Sequence, residues 1–169
     1  MRTYGYAGAH AGNSGDIYVL GASGVAVGVM ANAGAGDVTI DNDGGSIEAK
    51  AAVAAFGVLA GAAEGDVSIA NASPISAIGL NAMAAGINAS AGGDVDIVNS
   101  ASIYAASYGD AFGTYGYTVD GNVSIDNSGD MEIVAVYGLA DGIFASGASV
   151  DVGNTGAIAV AGYSWAAGI

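Results

Sequence analysis

Short runs of alternating apolar and polar residues recur along almost the whole chain. The run Gly36-Asp-Val-Thr-Ile-Asp-Asn42 returns, with small changes, in three later segments and in a degenerate copy that ends at Asn154. The three clear copies are Gly65-Asp-Val-Ser-Ile-Ala-Asn71, Gly93-Asp-Val-Asp-Ile-Val-Asn99 and Gly121-Asn-Val-Ser-Ile-Asp-Asn127. Each is followed by a second short apolar run, typically Ile-x-Ala, and by a third with the motif Ala-x-Gly. Alternation of this kind, bounded by Gly, Asn and Asp, predicts three short β-strands per repeat.

The repeat has a nearly constant length. The asparagines that close the first run are spaced by 29, 28, 28 and 27 residues, at Asn42, Asn71, Asn99, Asn127 and Asn154. Three short strands cannot bury a core alone, but coils stacked about 4.8 Å apart can share one. The sequence therefore predicts an all-β fold, a parallel β-solenoid of about six coils with three strands in each. Antiparallel hairpins would not keep these columns in phase.

No linker or change in composition divides the chain, so we predict one domain over residues 1–169. Residues 37–148 form the regular coils. Residues 15–36 are expected to form a short, irregular first coil that lacks a strand, because Asp16 and Asp37 are only 21 residues apart and Gly21 stands where Asn is expected. Residues 149–169 form a last coil that stops within its third run.

The recurring Gly-Asp-Val-x-Ile-x-Asn run, with Ile-x-Ala and Ala-x-Gly-Ile after it, resembles the passenger domains of bacterial autotransporters and filamentous-haemagglutinin-like surface proteins. The resemblance covers residues 15–169. It implies a right-handed β-helix that is exported to the bacterial cell surface, where it forms a stalk or an adhesive surface. It brings no catalytic residues to this sequence.

The amino-acid composition limits the partners and the activities that the chain can have. The net charge is −14, with two Lys and Arg residues in total, one His and no Cys. Such a charge repels nucleic-acid phosphates, so we expect no nucleic-acid partner. The uncharged stretches 17–36 and 67–93 are explained by the repeat, and we expect no direct insertion into a membrane. A catalytic triad would depend on His10, outside the predicted regular coils, so we expect no enzymatic activity and no catalytic residues.

Two polar columns are candidate sites. The column Asn42, Asn71, Asn99, Asn127 and Asn154 is interpreted as a structural ladder of side-chain amides buried at a turn. The column Asp37, Asp66 and Asp94 has two interpretations. Its carboxylates can cap turns while remaining solvated, or they can hold Ca²⁺ between coils. The first is preferred, and no cofactor is expected.

Aromatic residues form a third column. Tyr108, Tyr137 and Tyr163 each lie five residues before a repeat glycine, which predicts a stack across three coils. Such a stack can stabilise a corner of the solenoid, or it can bind host or surface glycans.

The leading hypothesis is thus a non-enzymatic, extracellular structural or adhesive segment, attached to the outer membrane through a parent protein. One alternative is a secreted filament subunit that stacks end to end; a weaker one is a polysaccharide-active β-helix enzyme. The final residues, 160–169, carry no charge and no Pro that would cap an open sheet edge. We therefore expect either a longer solenoid or self-association at the ends.

Overall fold

The computed structural model describes all residues 1–169, and the chain forms only β-strands and turns. It has no α-helix, and so none that is long and apolar enough to cross a membrane. The strands are β1 (Arg2–Gly5), β2 (Ala9–Asn13), β3 (Ile17–Gly21), β4 (Val25–Ala33), β5 (Val38–Asn42), β6 (Ile47–Ala51), β7 (Ala54–Ala62), β8 (Val67–Asn71), β9 (Ile75–Gly79), β10 (Met83–Ala91), β11 (Val95–Asn99), β12 (Ile103–Ser107), β13 (Asp110–Thr118), β14 (Asn122–Asn127), β15 (Met131–Ala135), β16 (Leu139–Ser146), β17 (Ser149–Asn154), β18 (Ile158–Gly162) and β19 (Trp165–Ala167).

Every strand pairs in parallel with the strand three places along the chain, so each coil visits three sheets once. Sheet A has the order β1-β4-β7-β10-β13-β16-β19. Sheet B has the order β2-β5-β8-β11-β14-β17, and sheet C the order β3-β6-β9-β12-β15-β18. The predicted parallel β-solenoid, with about six coils and three strands per coil, is confirmed.

The core runs along the axis between the three sheets. In β8, Val67, Ile69 and Asn71 are buried, while the residues between them are exposed. The same alternation in the other coils builds one cluster of 35 buried apolar residues, dominated by Ala, Val and Ile. Small side chains suit a core whose walls are three sheets that approach closely.

Turn lengths explain why the repeat shortens along the chain. The turn from sheet A to sheet B has four residues at 34–37 and 63–66, but two at 147–148. The turn from sheet B to sheet C has three residues in every coil except 43–46, which has four. There Gly45 adopts a φ of 72°, a left-handed conformation that favours glycine.

The repeat glycine marks a bend within the long strands of sheet A. In β7, Ala55 and Val58 are both fully buried although they lie three residues apart, so the alternation shifts by one residue at Gly57. A Cβ atom on Gly57 would collide with the side chain of Ile75 on sheet C and lie 2.7 Å from the carbonyl oxygen of Gly86. Close approach to two neighbours therefore requires glycine here.

The first coil has all three strands, so the expectation of a short first coil that lacks a strand is wrong. The coil begins earlier, with β2, and Asn13 pairs with Asn42 while Gly21 pairs with Ala51 on sheet C. The sequence hides β2 because Ala9 and Ala11 occupy the positions of the Val and Ile found in later coils. The last coil is short only in β19, which has three residues.

Candidate functional site

The asparagine column forms a continuous chain of side-chain hydrogen bonds along the corner between sheets B and C. Each Nδ2 donates to the Oδ1 of the asparagine in the following coil. The distances are 2.7 Å for Asn13 to Asn42, 2.5 Å for Asn42 to Asn71, 2.6 Å for Asn71 to Asn99, 2.6 Å for Asn99 to Asn127 and 2.7 Å for Asn127 to Asn154. Asn13 is a member that sequence analysis missed.

The amides also fix the turns that follow them. Asn71 Nδ2 donates to the carbonyl of Ser73 at 3.0 Å, and Asn99 Nδ2 donates to that of Ala101 at 2.8 Å. Both protons of each of these amides are thus used within the protein, and Asn99 is only 1% exposed. At Asn71 and Asn99 the arrangement therefore holds coils together and leaves no amide donor for a ligand.

The aspartate column lies at the exposed corner between sheets A and B. The backbone N–H of the next coil donates to Oδ1 of Asp37 at 3.0 Å, of Asp66 at 2.7 Å and of Asp94 at 2.7 Å. Asp110 and Asp130 accept the same kind of bond at the other two corners. No group of three or more acidic, His or Cys side chains is arranged to hold a metal ion.

The Asp66 carboxylate provides a direct test of the two interpretations of this column. Asp66→Asn keeps the Oδ1 acceptor and removes the middle one of three like charges, of which each neighbouring pair repels by about 1 kcal/mol in water. We expect it to be neutral or slightly stabilising in urea unfolding, whereas Asp66→Ala should lose about 1 kcal/mol with the hydrogen bond. A chelator should not change the melting temperature. A chelator effect that Asp66→Asn abolishes would instead indicate Ca²⁺ between the coils.

The predicted tyrosine stack contains two rings. The ring centroids of Tyr108 and Tyr137 are 6.2 Å apart with an angle of 20° between planes. Tyr163 follows in the next coil but does not stack on them, and it is 87% exposed. The turn that carries Tyr163 leads to β19, the outermost strand of sheet A in this structure, so a neighbouring coil lies on only one side of the ring. The pair lies at the exposed turn from sheet C to sheet A.

A second aromatic cluster, which sequence analysis did not predict, lies on the outer face of sheet A. Tyr115 and Phe144 are neighbours in register and stack with centroids 4.7 Å apart and planes at 8°. The ring of Phe112 meets both edge-on, at 5.4 and 6.4 Å. Burial raises the pKa of Tyr115, with a smaller contribution from Tyr117. The cluster covers the bend in two adjacent coils.

Asp141 is a buried carboxyl group on sheet A, close to this aromatic cluster. Its register partners are Phe112 in the preceding coil and Ala167 in the following one. The side chain is 9% exposed, and its Oδ1 atom is buried without a hydrogen-bond partner. Burial, and secondly the negative charge of Asp110, raise the pKa of Asp141 above its ordinary value. A buried carboxylate oxygen without a hydrogen-bond partner costs free energy, and the three preceding coils have Phe112, Ala85 and Phe56 at this position.

Asp141→Ala should therefore stabilise the protein at neutral pH. Because the folded state holds the Asp141 proton more tightly than the unfolded chain does, stability falls as pH rises from the unfolded pKa through the raised folded pKa. We expect a gain of about 1 kcal/mol at pH 7 for the loss of an unpaired buried oxygen, and a smaller gain in acid, where Asp141 is protonated. Urea unfolding at both pH values measures this. Asp96→Ala, on the exposed face of sheet B, is the control; equal changes in the two variants would contradict the argument.

His10 lies on the exposed face of β2, with Nδ1 4.0 Å from Asp41 Oδ2 in the next coil. Both side chains are more than half exposed.

Comparison of the chain with family models, with curated proteins and with solved structures found no match.

Proposed function

We propose that the chain is a non-enzymatic structural and adhesive segment of a bacterial surface protein. The proposal is carried by one observation: the polar side chains at the corners form hydrogen bonds between successive coils. The asparagine ladder and the corner aspartates tie each coil to the next, which suits a stiff rod with three long faces. The resemblance of the repeat to exported β-helical passenger domains supports the location.

Labelling of intact cells tests the location. An antibody raised against the purified chain should label unpermeabilised cells of the source organism, and external protease should remove the signal. A cytoplasmic protein serves as the control for cell integrity. Labelling that appears only after permeabilisation would overturn the proposed surface location.

A filament that grows by end-to-end stacking is a second candidate, favoured by the polarity of the ladder. Asn13 Oδ1 accepts only a 3.4 Å bond from Gly15, and Asn154 Nδ2 donates only to the carbonyl of Gly156. At one end of the ladder an Oδ1 atom thus has no amide side chain that donates to it, and at the other end an Nδ2 atom has no further Oδ1 acceptor. The apolar side chains Val152, Ile158 and Val160 are only partly covered in the last coil. A further coil, from a longer chain or from a second copy, would complete both features.

Electron microscopy of the purified chain distinguishes the two candidates. A filament former gives uniform fibres, and Val160→Lys should prevent them because it places a charge at the open end of the core. Ala161→Lys adds the same charge to the outer face of the same strand and should leave fibres intact. A wild-type chain that stays monomeric at high concentration in light scattering would overturn this second candidate.

A further inference from the structure

A trough with a volume of about 570 Å³ runs along the outer face of sheet C. Its lining comes from five successive coils, from Ser46 to Ala159. With coils about 4.8 Å apart, the trough is about 20 Å long and parallel to the solenoid axis. An open channel of this length fits a linear polymer better than a compact molecule.

Small side chains line much of the trough, and Glu48, Tyr104 and Glu132 project from its floor. Glu48, Ser76, Tyr104 and Glu132 follow one another in register on β6, β9, β12 and β15. Ala159 continues the row, and the adjacent corner carries small residues in most coils. The aromatic ring of Tyr104 therefore has a serine hydroxyl one coil away on one side and a carboxylate one coil away on the other.

The negative charge of the trough favours a ligand that carries positive groups. Glu48, Asp130 and Glu132 line it, and the one lysine of the chain, Lys50, is paired with Glu48. Asp130 and Glu132 have no cationic partner in the protein. A polyanion is repelled from such a surface, and a chain of positive groups is attracted to it. The face of a tyrosine ring also attracts an ammonium group.

A sugar polymer suits this surface better than a basic peptide. Extended peptides bind to sheets by adding a strand to a free edge, where backbone groups are unpaired. The trough lies over the middle of sheet C, where the central strands are paired on both sides. A peptide there would find no backbone partners, whereas the hydroxyl and ammonium groups of a sugar chain can bond to serine hydroxyls and carboxylates.

We infer that the sheet C trough binds a linear polysaccharide that bears free amino groups, of the kind that a glucosamine polymer presents. This inference rests on the adhesive function proposed above and names the class of ligand. It assigns the cation-binding roles to Glu132 and Asp130, and the stacking role to Tyr104. The tyrosine pair at Tyr108 and Tyr137 lies outside the trough and has no part in it.

Calorimetric titration of the purified chain with a glucosamine hexamer tests the inference, because it does not depend on where the protein is located in the cell. Binding should weaken with salt, and the fully N-acetylated hexamer should bind more weakly because it carries no charge. Ser76→Arg places a cation in the trough and should weaken binding by about tenfold or more. Ser68→Arg makes the same change in the same coil, on the exposed face of sheet B, and should bind as the wild type does.

Glu132→Gln and Tyr104→Ala should each weaken binding, while Glu64→Gln, on an exposed turn outside the trough, should not. Unfolding midpoints verify that the variants are folded. If Ser76→Arg does not fold, the nearly isosteric Glu132→Gln provides the test. The inference is overturned if the hexamer does not bind, if Ser68→Arg weakens binding as much as Ser76→Arg, or if a lysine hexapeptide binds as tightly. If the hexamer binds but intact cells are not labelled, only the proposed location is overturned. If cells are labelled but the hexamer does not bind, only this inference is overturned.

Discussion

Asn99→Ala is expected to lower the free energy of unfolding by about 1–3 kcal/mol. The substitution leaves Asn71 Nδ2 without its acceptor and Asn127 Oδ1 without its donor. Both neighbours are almost fully buried, at 2% and 3% exposed, so water cannot replace the lost bonds without entering the core. Urea unfolding followed by circular dichroism measures the change.

The position within the ladder provides the control. Asn154 has only one ladder partner, Asn127, and its side chain is partly exposed. Asn154→Ala should therefore cost less than Asn99→Ala, and Asn122→Ala, at an exposed position outside the ladder, should cost still less. Equal and near-zero losses at all three positions would show that the amides do not bond in a buried ladder.

Gly57→Ala is expected to destabilise the protein by about 3 kcal/mol, as overpacking of a rigid core does. The new Cβ atom would meet Ile75 on sheet C and the backbone oxygen of Gly86 in the next coil. The backbone oxygen is held by the sheet, so it cannot move away as a flexible side chain could.

Gly24→Ala is the matched substitution for this test. A Cβ atom on Gly24 has no neighbour within 4 Å, and surface changes of this kind usually alter stability by less than about 0.5 kcal/mol. The two variants differ from the wild type by the same methyl group. A similar midpoint for both in thermal unfolding would contradict the role of the repeat glycine as a point of close packing.

The architecture could be predicted because the core repeats. Each coil must place apolar residues at equivalent inward positions, so the columns of Val, Ile, Asn and Gly are visible in the sequence. The first coil escaped prediction because alanine at Ala9 and Ala11 satisfies the same inward positions without the signature residues. Counting 29 residues back from Asn42 would have found Asn13 and, with it, β2.

The outer surface was less predictable than the core, because no single constraint acts on it. Tyr115 and Phe144 each lie two residues after a repeat glycine, and this common offset would have predicted their stack. Asp141 could not be predicted in this way, because the equivalent position in the earlier coils holds apolar residues. The trough depends on how sheet C places Glu48, Ser76, Tyr104 and Glu132 in one row. That register follows from turn lengths that vary between coils.

The uniform register from β5 to β15 has a consequence for how such a protein changes over generations. A duplication of the 28 residues 72–99 would begin and end at equivalent ladder positions, and would add one whole coil, or about 4.8 Å, to the length of the rod. A deletion of the same segment would shorten it by the same step. Unequal recombination between similar coils can thus alter the reach of the molecule while the core columns and the asparagine ladder stay in register.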